Sequence, residues 1–91
     1  MSLNKLKFLD FRTGVNRIGT KGAANIEQLL LSLPDLRYLK LDLNENVIYD
    51  KGVEHVTKAI DKLKNIQSIN LNLNQNDIRE NSMKELFKVV K

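Results

Sequence analysis

Apolar positions along this chain recur at a fixed step of thirty residues. Leu6, Leu36 and Ile66 hold the first column. Leu9/Leu39/Ile69, Phe11/Leu41/Leu71 and Thr13/Leu43/Leu73 follow without a gap. Asn16/Asn46/Asn76, Ile18/Ile48/Ile78 and Gly22/Gly52/Ser82 continue the register. The later columns are Ala23/Val53/Met83, Ile26/Val56/Leu86 and Leu30/Ile60/Val90. Each unit changes period partway. Leu39, Leu41 and Leu43 alternate, which predicts a strand with one buried face. Val53, Val56, Ile60 and Leu63 then fall at helical spacing. Thr20 and Asp50 stand where helix N-caps are expected, and Pro34-Asp35 turns the chain back toward the next strand. The predicted unit is strand, Asn turn, loop, helix and return loop, over residues 6–35, 36–65 and 66–91. No single unit can bury both its strand face and its helix stripe, so the units are expected to stack into one domain, 1–91.

The pattern Leu36-x-x-Leu39-x-Leu41, followed by Asn46-x-Ile48 and Gly52, resembles a leucine-rich repeat. The long helical segment is similar to the ribonuclease-inhibitor-like class. The resemblance covers residues 6–91. It implies an open α/β solenoid of three units, with a short parallel sheet on the concave side and helices on the convex side. It also implies protein binding on the concave face. In the usual motif the Asn follows the third Leu by three residues, whereas here Leu43 intervenes and Asn46 follows Leu41 by five. This extension resembles a variant common in repeat arrays of single-celled eukaryotes. Either a longer strand or a bulge is expected to absorb it.

Alternation places candidate binding residues on the outward strand face. If Leu39 and Leu41 point in, then Tyr38, Lys40 and Asp42 point out. The matching positions are Phe8, Asp10 and Arg12 in unit one, and Ser68, Asn70 and Asn72 in unit three. Asp10 is expected beside Lys40, and Arg12 beside Asp42, as a checkerboard of opposite charges paired across strands. Phe8 and Tyr38 would serve as aromatic anchors. Asn16, Asn46 and Asn76 are read as a structural ladder, because a carboxamide can satisfy backbone groups that leave the sheet at the turn.

Composition narrows the function. The 91 residues include no Cys, so a disulfide scaffold, a thiol nucleophile and a Cys-based zinc site are excluded. No apolar run approaches a membrane span, and there is neither a signal-peptide core nor an Asn-x-Ser/Thr acceptor. An intracellular, cytoplasmic location is expected. The net charge is +4. The expected convex face carries Asn25, His55, Glu85, Lys58, Lys62, Lys84 and Lys88, and reads as a mixed solvated surface. A nucleic-acid-associated subunit using that basic flank is the alternative function, although no aromatic residues interleave with the lysines.

Enzyme readings fare poorly. His55 is the only histidine, and no nucleophile lies near it on its own helix face. Asp10 and Asp42 would sit diagonally on the sheet, but Arg12 and Lys40 beside them would keep both ionised. Gly14 to Lys21 imitates a phosphate loop with Thr and Lys in the wrong order. No catalytic residue, cofactor, metal or small-molecule substrate is assigned. Neither end carries an atypical capping unit, and Phe87 replaces the Glu27/Thr57 column with an exposed aromatic. The expected function is therefore non-catalytic protein–protein interaction through the concave face and the open terminal units. The chain would then be a piece of a longer array or a subunit of a larger complex.

Overall fold

In the computed structural model, residues 5–13 and 17–90 are described. The element order alternates strictly: β1 (Phe8–Arg12), α1 (Gly19–Leu31), β2 (Tyr38–Asp42), α2 (Tyr49–Lys62), β3 (Ser68–Asn72) and α3 (Glu80–Val89). The strands form one parallel sheet in the order β1-β2-β3. Its register is the thirty-residue step of the sequence. Phe8 pairs with Tyr38 and Tyr38 with Ser68, through to Arg12, Asp42 and Asn72. This is an α/β arrangement of three strand–helix units.

One core joins the sheet to the helices. Leu39 and Leu41 turn inward from β2, where they meet Ala23, Ile26 and Leu30 of α1 and Val53, Val56 and Ile60 of α2. Each of these eight side chains is at most 5% exposed. The third unit is less covered. Leu43 and Ile48 are fully buried, while their counterparts Leu73 and Ile78 are only partly so. The same residue type in the same column differs because nothing among the described residues lies beyond β3 and α3.

The turns after β2 and β3 neither lengthen the strand nor bulge it, contrary to expectation. Every strand is five residues long. The Asp42 carboxylate instead accepts the Asn44 N–H at 3.1 Å, and the Asn72 carboxamide oxygen accepts the Asn74 N–H at the same distance. These side-chain turns bend the chain out of the sheet. Left-handed residues then follow at every second position, with Glu45, Val47 and Tyr49 at φ 55, 50 and 57 and Gln75 and Asp77 at φ 58 and 54.

Asn46 and Asn76 are buried inside this turn. The Asn76 carboxamide oxygen accepts the N–H of Asn46 at 2.7 Å and of Ile48 at 3.3 Å. Its amide donates to the Leu43, Leu73 and Asn74 carbonyls at 2.7, 3.1 and 3.1 Å. One rung earlier, the Asn46 oxygen accepts the Ile18 N–H at 3.3 Å. Each asparagine thus completes the turn of the preceding unit. Asn16, the remaining member of the column, lies outside the described residues.

The helix starts correct a second expectation. Neither Thr20 nor Asp50 caps its own helix; the N-cap positions are Ile18 and Ile48, without side-chain caps. Both polar side chains tie neighbouring units together instead. Thr20 donates to the Ile48 carbonyl at 3.1 Å, and Asp50 accepts the Arg79 N–H at 2.7 Å. Gly22 and Gly52 are required by a close approach. A Cβ at Gly52 would lie 2.6 Å from the Ile48 Cβ, and one at Gly22 would lie 2.5 Å from the Ile18 Cβ. Ser82 fills that column in unit three, where the chain enters the helix differently. Arg79 is extended, at φ −85 and ψ 161, and α3 begins at Glu80.

Candidate functional site

The sheet face turned away from the helices carries the nine residues expected there. Phe8, Asp10 and Arg12 of β1, Tyr38 of β2, and Ser68 and Asn70 of β3 are exposed. Lys40, Asp42 and Asn72 are half-buried on the same face. The five-residue strands and their parallel register set them in three rows of three. Phe8 and Tyr38 are adjacent across the strands, with ring centroids 6.4 Å apart and planes tilted by 38°. At 60% and 44% exposed, they form a continuous apolar patch at the start of the strands.

The charges pair differently from expectation. Asp10 does lie opposite Lys40, and Arg12 opposite Asp42. Yet the bridge that forms runs along β1. Arg12 donates from Nε to one Asp10 oxygen and from Nη2 to the other, both at 3.0 Å. The two residues are two positions apart and therefore share one face of the strand. A bidentate fork matches guanidinium to carboxylate better than an ammonium does, so Arg12 wins Asp10 from Lys40. Among the described residues no cross-strand ion pair forms on this face. Among the described residues the Lys40 ammonium forms no salt bridge. The Arg12 hydrogen bond, aided by the charges of Arg12 and Lys40, holds the Asp10 carboxyl below its usual range. The same hydrogen bond raises the Arg12 guanidinium. A carboxylate held ionised is unsuited to act as a general acid.

His55 is not on an open helix face. Its Nδ1 lies 2.6 Å from the Glu27 Oε1 on the neighbouring helix, and both side chains are largely buried. The sequence reading missed this pair, because contacts between the helices occur at a spacing of 28 residues and those in the sheet at 30. Thr57, the hydroxyl nearest His55 along α2, donates to the Val53 carbonyl at 2.8 Å. Three of the five lysines of α2 and α3 pair within their own helices: Lys58 with Glu54, Lys84 with Glu80, and Lys88 with Glu85. Among the described residues no cluster of His, Asp or Glu suited to a metal ion gathers, and no helix is long and apolar enough to cross a membrane.

The chain matches no protein-family model, and no curated protein or solved structure is significantly similar to it.

Proposed function

We propose that this chain is a leucine-rich-repeat-like solenoid segment that binds another protein, without catalysis, on the outward face of its sheet. The observation that carries this reading is the Phe8–Tyr38 patch beside the half-buried Lys40. Aromatic side chains on a rigid sheet supply contact area at small entropic cost, and such residues dominate binding energy in protein interfaces. The Asp10–Arg12 fork fixes the neighbouring polar groups in advance, so little ordering remains for the binding step. The partner suited to this face presents an apolar side chain flanked by a carboxylate that meets Lys40.

The nucleic-acid alternative has weaker support. The lysines of α2 and α3 that would form its basic flank are mostly matched by glutamates one turn away. Those glutamates would repel phosphate.

A photo-crosslinking residue placed at Tyr38, compared with one at Lys62 on α2, tests the reading in cells. A discrete protein adduct at 38, absent at 62 and lost with Lys40→Glu, is expected. Adducts to nucleic acid, or equal labelling at both positions, would overturn it.

A further inference from the structure

We infer that copies of this chain associate head to tail, the third unit of one copy stacking on the first unit of the next. This deepens the reading of stacked units given above and rests on it.

The third unit ends in a groove of about 610 Å³ lined by Ile69, Leu71, Leu73, Ile78, Met83 and Phe87. Five of these occupy columns that are buried in unit two, Met83 through the Val53 column. Leu39, Leu41, Leu43 and Ile48 are at most 2% exposed there, because unit three covers them. The surface that would cover Ile69, Leu71, Leu73 and Ile78 must therefore resemble a strand–helix unit. The chain's own first unit presents such a surface at the opposite end, where Phe11, Ile18 and Leu29 border a hollow of about 260 Å³.

Backbone hydrogen bonding selects the same occupant. Between successive units, the Thr13 N–H donates to the Asp42 carbonyl at 3.1 Å, and the Leu43 N–H to the Asn72 carbonyl at 2.8 Å. In return, the Arg37 and Tyr38 N–H groups donate to the Lys7 carbonyl, and the Gln67 and Ser68 N–H groups to the Arg37 carbonyl. At the third unit the next donor in the series is the Leu73 N–H and the next acceptor is the Gln67 carbonyl. Neither meets a following strand among the described residues. The first unit carries the complement on its outer edge, the Arg12 carbonyl and the N–H groups of Lys7 and Phe8. A second copy seated in register would extend the sheet from three strands to six with its parallel spacing unchanged. An interface of this kind joins two different surfaces, so it continues into rings or filaments and does not stop at a dimer.

The helix layer supplies a residue pair for the test. Glu27 of one unit faces His55 of the next. The same offset carries Phe87, which is 64% exposed, onto Asn25 of the following copy. Both positions are exposed, so substitution leaves the core intact. Light scattering over a concentration series should give a mass that climbs from 10.5 kDa as the chain is concentrated. Phe87→Lys and Asn25→Glu, each alone, should weaken association at least tenfold. Mixing the two variants should restore it, because an intact or charge-complementary pair re-forms at each junction. A Tyr38→Ala variant should associate like the parent chain, which separates failure of this proposal from failure of the sheet-face reading. A mass fixed at one chain overturns the proposal, as does association that survives either single variant, since that would mean like ends meet. Circular dichroism of each variant confirms that a lost mass is not a lost fold.

Discussion

Replacing Asn76 by Ala removes the side chain on which the second turn depends. Two donors, the N–H groups of Asn46 and Ile48, lose their acceptor. Both residues are fully buried, so neither N–H faces bulk water in the parent chain. A buried donor left without a partner costs about 1–3 kcal/mol, so the pair costs about 2–6 kcal/mol. Three carbonyls also lose a donor. Each carbonyl has two lone pairs, so the loss of one donor costs little beside the two orphaned N–H groups. A chain of this length has roughly 5–14 kcal/mol in total. The substitution should therefore remove a large part of the stability and lower the midpoint of thermal unfolding by at least about 10 °C. Urea unfolding followed by circular dichroism reads the loss, and hydrogen exchange at the Asn46 and Ile48 amides localises it. Asn76→Asp should be no milder at neutral pH. It keeps the acceptor but points a carboxylate at the carbonyls of Leu43, Leu73 and Asn74. A loss below about 0.5 kcal/mol, with both amides still protected, would refute the reasoning.

Other perturbations probe separate parts of the structure. Val47 is a β-branched residue at φ 50, a conformation that costs such a residue roughly 1–2 kcal/mol. Val47→Asn should raise the unfolding midpoint by several degrees, and a lower midpoint would show that the Val side chain contributes packing that outweighs its strain. Gly52→Ala should destabilise by about 1–3 kcal/mol through the clash with Ile48, whereas Ser82→Ala should change stability little; urea midpoints compare the two. The Asp10 carboxyl should titrate below 3.8, and Arg12→Ala should move it upward, as read by carbon-detected NMR. Because its folded-state value is depressed, whatever Asp10 contributes to stability is present above the unfolded value and fades as pH falls through the folded one. An unchanged titration in Arg12→Ala would mean that the fork does not persist in solution.

The thirty-residue step in the sequence predicted the strand pairing to the residue, because a parallel ladder between equal units can only repeat the unit length. Alternation at Leu39 and Leu41 likewise placed the nine outward residues on one face. What escaped the sequence was decided by competition among near neighbours. Arg12 had two carboxylates within reach, and the fork geometry toward Asp10 prevailed over the residue opposite. Thr20 and Asp50 had the composition of caps, but the left-handed residues Gly19 and Tyr49 turn the helix entry so that both side chains reach the next unit. The two-residue extension between Leu41 and Asn46 became a turn held by Asp42, an outcome no hydrophobic period encodes. The Glu27–His55 pair follows a 28-residue offset that periodicity in the strands does not display.

Both the proposed binding face and the proposed head-to-tail contact depend on units stacked on a thirty-residue register, and that register can be measured directly. Scalar couplings transmitted through hydrogen bonds report donor and acceptor directly. The Asn46 amide should couple to the side-chain carbonyl carbon of Asn76, the Leu43 amide to the backbone carbonyl of Asn72, and the Glu45 amide to that of Asn74. Couplings to carbonyls displaced by one or two residues, or none at all in a folded chain, would contradict the account.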